Sequence, residues 1–373
     1  MVEISKDIPA GNIEVLDLLC DRAFIAPELR DSRNDWFYWK FKAVFDAPGK
    51  MLFHFSRPHK IGTRGPAVST DRGASWLWRP EAVRSDCDFV YECRRAGEEV
   101  WFCQGLPYLQ ADLARFIGEF RDHPALHLSS LCRSRKGREV ESLEIREGTP
   151  PLAVVLTARH HCQEMSGSMV LEGVLRHVLT DAEFRRRIAV YAVPFVDKDG
   201  AEDGDQGKGR IPRDHARDYD GNPIYPETAA VWKLIAEKKP FLVLDFHSPW
   251  IKGPHNENPY LVETRHKRFA AELKTFSEML EREAPACAPF SAADTIHWGT
   301  AWNTDANFKS GVGSGGGLNL ATACGDLPFV RFASTIETPF ANFGNKTVTY
   351  REFLQFGDAV ARVVMKYADQ QKA

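Results

Sequence analysis

The sequence predicts an α/β protein in two parts: an N-terminal β-sandwich, then an α/β domain whose mixed, mostly parallel sheet is flanked by helices. Three observations carry this. Up to residue 107 the apolar runs are short and separated by turn signals, the spacing of a sandwich. From residue 108 they alternate with helical patterns, as in a sheet covered by helices. Three of the later runs end in His or Glu, at the strand ends where open α/β sheets place their ligands.

In order, strand-like runs fall at 13–18, 36–45, 51–55, 75–78, 88–93 and 99–104. Turn residues such as those at 46–49 and 95–97 divide them. The aromatic cluster Trp36, Phe37, Tyr38 and Trp39 reads as core, with a binding surface as the alternative. Residues 108–120 turn helical, with Leu109, Leu113, Phe116 and Ile117 on one stripe. Strands are then expected at 140–145, 152–156, 188–193, 241–246 and 332–336. Helices are expected at 166–180, 227–238, 266–283 and 350–368. A chain of 373 residues exceeds an ordinary single core, so two domains are expected, 1–107 and 108–373.

Composition narrows the function. The chain is 43% hydrophobic and 27% charged with a net charge of −3, which gives no electrostatic footprint for nucleic acid or a membrane surface. No apolar run reaches transmembrane length, and the N-terminus has no basic-then-apolar signal pattern. The eight cysteines are scattered without a C-x-x-C pair and read as reduced thiols of a cytoplasmic protein. Oligomeric state is not legible.

Two stretches resemble known motifs and are read otherwise. Residues 197–210, rich in Asp and Gly, lack the bidentate Glu of a calcium loop and read as a solvated loop. Residues 311–316 match G-x-G-x-x-G without a preceding strand, and read as a mobile loop near the site rather than a dinucleotide fingerprint. No G-x-S-x-G occurs, so a serine hydrolase has no nucleophile elbow.

The chemistry sits at the three strand ends. The run at 152–156 leads into His161 and Glu164. The run at 241–246 delivers His247, and the run at 332–336 delivers Glu337. The H-x-x-E spacing is weak alone. Two His and a Glu together make a catalytic zinc set with an open position for water, and a further Glu can serve as general base.

With these residues in place the chain resembles the M14 family of zinc carboxypeptidases, most closely its cytosolic carboxypeptidase branch. The matching stretches are 158–164, 193–200, 214–217, 245–247 and 335–337. A looser similarity links 34–39 and 101–108 to the sandwich that precedes the catalytic domain in that branch. The resemblance implies one Zn²⁺ per chain, held by His161, Glu164 and His247, with Glu337 as the base. Asp214 would orient a ligand histidine, Arg217 would grip a substrate carboxylate, and Arg210 would face the oxyanion, with Arg213 as its rival. His160 reads as structural.

Two departures bear on the substrate. Ala216 stands where the family has an Asn donor, and no tyrosine occurs from 262 to 340, where the family supplies a mobile one. The expected substrate is a peptide or an acylated amino acid. Hydrolysis of a peptide or isopeptide bond near a C-terminus is the first reading. A zinc amidase acting on small N-acyl amino acids, and a binding protein whose chemistry has decayed, are the alternatives. Arg331, on the same face as Glu337, could meet an acidic substrate or form a salt bridge.

Overall fold

The computed structural model describes residues 2–309 and 317–370. The G-x-G-x-x-G stretch at 311–316 lies outside them.

The N-terminal part forms two sheets. One has five strands, in the order Val2–Ser5, Lys40–Phe45, Glu98–Cys103, Ala67–Ser69 and Leu77–Trp78. The other has four: Glu14–Leu18, Arg22–Ala26, Gly49–Phe55 and Asp88–Cys93. Alternation explains the packing. Phe41, Ala43 and Phe45 share one face of their strand, as Met51, Phe53 and Phe55 share one face of theirs, and both sets are buried in one core with Trp39, Phe89 and Phe102. Ring centroids lie 4.8 Å apart for Phe53–Phe89 and 5.2 Å for Phe41–Phe102, within the range of favourable aromatic pairing.

The larger sheet has seven strands: β1 (Leu126–Arg133), β2 (Glu139–Ile145), β3 (Leu152–Ala158), β4 (Ile188–Val193), β5 (Leu242–His247), β6 (Tyr260–Val262) and β7 (Phe332–Glu337). Their spatial order is β1-β2-β4-β3-β5-β7-β6. The four central strands β4, β3, β5 and β7 run parallel, and the outer pairings are antiparallel. This is the mixed, mostly parallel sheet expected from the sequence. β5 and β7 are buried along their whole length, which is why they read as largely apolar runs, with Asp245, Ser334 and Thr335 as buried polar positions.

Two helices, α1 (Met165–Thr180) and α2 (Tyr350–Asp369), meet at a pair of glycines. A Cβ on Gly173 would stand 2.3 Å from the Leu354 carbonyl oxygen, and one on Gly357 would stand 2.1 Å from that of Val170. Only glycine lets these backbones approach so closely.

Two strands of the seven-stranded sheet escaped the sequence, as did Val2–Ser5, Arg22–Ala26 and Ala67–Ser69 in the N-terminal part and the short strands Asn342–Phe343 and Lys346–Thr347. β1 is mostly exposed, so its Leu-His-Leu-Ser-Ser pattern carries no core signal, and β6 is three residues long.

The solvated-loop reading of 197–210 is corrected. Lys198–Asp203 is a short helix, and Asp197 and Gln206 are buried. The N-terminal part docks here. The Gln206 side chain accepts from Tyr38 N at 2.9 Å and donates to Tyr38 O at 2.9 Å. The Asp31 carboxylate accepts from the backbone N–H groups of Gln206 and Gly207, at 2.9 and 2.8 Å. Polar composition signalled solvent, but these polar groups are satisfied by a remote segment.

Candidate metal centre

The centre is built at the C-terminal ends of β3, β5 and β7. Past β3 the chain turns at Arg159, whose φ of +64° is unusual for a residue with a side chain. The buried Arg159 guanidinium holds the turn, donating to the carbonyl oxygens of Cys162 and Tyr108 at 2.5 and 2.7 Å. The Glu164 N–H donates to the His161 carbonyl at 3.1 Å, which brings the two side chains together.

The result is convergence. His161 Nδ1 lies 2.8 Å from Glu164 Oε1, and His247 Nδ1 lies 2.7 Å from Glu164 Oε2. All three residues are buried, and their donor atoms could hold a metal ion together. Behind them, His247 Nε2 contacts Asp245 Oδ2 at 2.7 Å, and His161 Nε2 lies 3.7 Å from Asp214 Oδ2. The Asp245 contact is a hydrogen bond of the kind that fixes imidazole tautomer and orientation, whereas Asp214 stands beyond hydrogen-bond distance of His161 Nε2.

The charges reinforce one another. Burial alone would raise the Glu164 carboxyl, but His161 and His247 outweigh it and hold the group well below the carboxylate range. Burial opposes protonation of His247, yet Asp245 and then Glu164 push it well above the ordinary histidine value. Asp214, buried beside His161, is held low despite the desolvation that would raise it. The cluster thus keeps its carboxylates ionised around a focus that favours positive charge.

Glu337 is the register partner of His247 on the adjacent strand. Its Oε2 is buried and finds no hydrogen-bond partner among the described residues. Burial, followed by the Glu164 charge, pushes its carboxyl up to about 7. A second group, His160, Asp245 and His247, could also hold a metal. There both ring nitrogens of His160 are occupied, by Asp245 Oδ1 at 2.8 Å and by the Tyr219 hydroxyl at 2.6 Å. That group is a closed hydrogen-bonded lock, whereas the first opens onto a cavity.

The cavity, about 240 Å³, is lined by Glu164 and Glu337 together with Lys208, Tyr260, Trp36, Trp250 and Trp302. Trp36 and Trp250 meet edge to face, with centroids 4.6 Å apart. The core reading of the aromatic cluster is therefore corrected for Trp36 alone; Phe37, Tyr38 and Trp39 are buried. The Tyr260 hydroxyl is buried without a well-formed hydrogen bond among the described residues. Burial, then the Glu337 charge, raises its pKa, while the Trp302 indole opposes the shift weakly.

The arginines fall differently from the expectation. Arg210 is corrected as the oxyanion group. Its guanidinium is held by Asp197 Oδ2 at 2.6 Å and Asp205 Oδ2 at 3.0 Å, with Asp31 at 3.6 Å, and it does not line the cavity. Arg213, its rival, is corrected likewise: it pairs with Asp218 and Asp220, both at 3.0 Å. Arg217 is buried on the single turn His215–Arg217 beside Asp214. Ala216 is buried too, and its methyl group offers no hydrogen bond. Arg331 forms a salt bridge to Glu272 at 3.0 Å.

Sequence reasoning missed Asp245, Lys208, Tyr260 and the role of Trp36. Asp245 had a signal: residues two apart on a strand share a face, so it must point the same way as His247. The others depend on how separate segments meet.

No protein-family model matches the chain. It is 30% identical over 219 residues to cytosolic carboxypeptidase 2 of Xenopus tropicalis, covering 53% of this chain and 22% of that protein. It is 29% identical over 208 residues to cytosolic carboxypeptidase 2 of Homo sapiens, covering 50% and 23%. The chain thus matches under a quarter of the length of these curated relatives. Among solved structures it superposes on a metallo-carboxypeptidase from Burkholderia cenocepacia with a TM-score of 0.78, at 16% identity and 99% coverage of both chains. A metallo-carboxypeptidase from Pseudomonas aeruginosa in complex with (2-guanidinoethylmercapto)succinic acid gives 0.77 at 18% identity, covering 98% of this chain and 99% of that one. At these identities the structural likeness establishes the fold.

Proposed function

From the premise that this chain is a cytosolic-carboxypeptidase-like protein of the M14 type, we propose that it is a zinc metallocarboxypeptidase hydrolysing a peptide or isopeptide bond near a C-terminus. One observation carries the reading: two imidazole nitrogens and both oxygens of one carboxylate converge at the strand ends, and the buried Glu337 Oε2, without a hydrogen-bond partner among the described residues, belongs to a residue lining the same cavity.

His161 Nδ1, His247 Nδ1 and Glu164 would hold one Zn²⁺ per chain, the nitrogen and oxygen donor set of catalytic sites. When bound, zinc supplies Lewis acidity, polarising a carbonyl and lowering the pKa of a water. Asp245 and Asp214 keep the two imidazoles aimed. Glu337 Oε2 takes the proton of the attacking water as its oxygen bonds to the carbonyl carbon. On collapse the C–N bond breaks, and Glu337 gives the proton to the leaving nitrogen. A carboxyl pushed up to about 7 suits a group that must both accept and return a proton near neutrality, and a nearby cation would draw it lower.

Arg217, buried beside the centre, is assigned to the substrate's terminal carboxylate. In this reading residues 1–107 are a β-sandwich domain that closes one wall of the cavity through Trp36, and 108–373 are the catalytic domain. The protein acts in the cytoplasm. Among the described residues no helix is long and apolar enough to cross a membrane.

Ala216 favours a second reading, a zinc amidase acting on N-acyl amino acids, because the carboxylate loses a donor there. The test is zinc analysis of the purified protein followed by a panel of peptides, peptide amides and N-acyl amino acids. Hydrolysis of peptides with a free terminus, and not of the amides, supports the carboxypeptidase. Cleavage confined to N-acyl amino acids replaces it with the amidase, and no hydrolysis by a zinc-loaded chain removes both.

A further inference from the structure

Once Arg210 and Arg213 are engaged by carboxylates, one lysine stands out. Lys208 lines the cavity with Glu164 and Glu337. It is partly buried and forms no ion pair or side-chain hydrogen bond with any described residue. Its position is built. Gly207 and Gly209, on either side, have φ of +74° and +65°, a backbone region that favours glycine. A Cβ on Gly207 would stand 2.5 Å from Cys162 N, and one on Gly209 would stand 2.7 Å from Asn34 Nδ2. The loop is thus pressed against the residue after His161 on one side and against the N-terminal segment on the other. Asp31 holds it by accepting from Gln206 N and Gly207 N. A rigid loop that presents a lone ammonium to a cavity lined with carboxylates is a device for meeting negative charge that arrives with a ligand.

Resting on the hydrolase reading, we propose that Lys208, rather than an arginine, supplies the positive charge that meets the oxyanion formed at the scissile carbonyl. When the water oxygen bonds to the carbonyl carbon, the C=O electron pair moves to oxygen, and Lys208 Nζ donates a hydrogen bond to that O⁻. On collapse the pair returns to the C=O bond and the C–N bond breaks. Lys208 keeps its proton throughout, so its contribution is to the transition state rather than to binding.

The test compares the zinc-loaded wild type with Lys208→Met, which keeps the stem, and Lys208→Arg, which keeps the charge. Hippuryl-phenylalanine and hippuryl-glutamate report turnover, and inorganic phosphate, a tetrahedral anion, reports binding by calorimetry. Zinc content and Tm confirm that each variant folds. Lys208→Met should lower kcat about 100-fold or more on both substrates, the effect of losing an oxyanion donor, with KM within about threefold of wild type. It should weaken phosphate binding roughly tenfold or more, and Lys208→Arg should recover most of both. A loss confined to hippuryl-glutamate and carried by KM overturns the proposal, because Lys208 then holds a substrate side chain. Unchanged phosphate affinity in Lys208→Met overturns it as well. Should the zinc-loaded wild type cleave neither substrate, the hydrolase reading loses its support, and the phosphate comparison alone decides Lys208.

Discussion

His247 and Glu337 are directly paired in register at the ends of two adjacent parallel strands. Their side chains therefore serve one site with no intervening loop. One carries a ring nitrogen to Glu164, and the other lines the cavity with a carboxylate whose Oε2 has no hydrogen-bond partner among the described residues. Strand pairing sets the spacing between the proposed ligand and the proposed base, and side-chain packing on a buried sheet keeps it.

Purified protein should contain about one zinc per chain, removable by chelation. His161→Ala or His247→Ala should abolish tight binding, as measured by metal analysis after dialysis. Asp245→Asn should weaken zinc affinity by roughly 10–100-fold, the usual effect of losing an outer-sphere carboxylate. Full occupancy in both histidine variants would mean that the ligands lie elsewhere.

Glu337→Gln should keep the zinc and lose turnover by about 10²-fold or more. The amide preserves shape but cannot take the water's proton. An active, zinc-loaded Glu337→Gln enzyme would remove Glu337 from the role of base.

Arg217→Ala should lower kcat/KM by roughly 30-fold or more on substrates with a free carboxylate, since losing one partner of a desolvated charge pair costs about 2–5 kcal/mol. The loss should shrink sharply on the corresponding amides, and Ala216→Asn should favour the free acid. Four enzyme–substrate pairs settle it. Equal impairment of acid and amide would make Arg217 structural.

Lys40 supplies a pH dependence far from the centre. It is 1% exposed, donates to the Pro9 carbonyl at 2.6 Å and lies 5.0 Å from the Trp101 ring. Burial lowers its pKa to about 8. Between about 8 and the ordinary value of 10.5 the unfolded chain binds a proton that the folded chain has released, so this group adds stability as pH rises through that window. Denaturant unfolding of wild type and Lys40→Met at a series of pH values should show the difference shifting toward wild type between about pH 8 and 10.5. A constant difference would mean that Lys40 titrates normally.

Gly173→Ala should destabilise the protein by more than the few tenths of a kcal/mol typical of a surface change, because its Cβ would stand 2.3 Å from the Leu354 carbonyl oxygen. Thermal unfolding measures it, and an unchanged Tm would show that α1 and α2 separate without cost.

Much of the fold and the metal cluster was legible because it depends on local pattern. A strand buried on both faces needs a predominantly apolar run, so β3, β5 and β7 announced themselves even with Asp245, Ser334 and Thr335 inside them. A polar residue just past such a run marks the strand end, which is enough to group His161, Glu164, His247 and Glu337 from sequence alone. The exposed β1 and the three-residue β6 lack that pattern, and β6 took Tyr260 with it. The cavity's remaining walls were decided by contact between distant segments. Arg210, Arg213 and Lys208 are alike in sequence, three cations on one Gly-rich stretch. Which of them meets carboxylates and which meets the cavity depends on Asp31, Asp197, Asp205 and Asp218, brought there only when the N-terminal part docks and the loop closes. Ion pairing has no sequence period. Sequence by itself determined the sheet and the four residues at its strand ends, through hydrophobic periodicity; tertiary structure decided which cation stays unpaired among the described residues and which tryptophan leaves the core, because those outcomes follow from which surfaces are brought together.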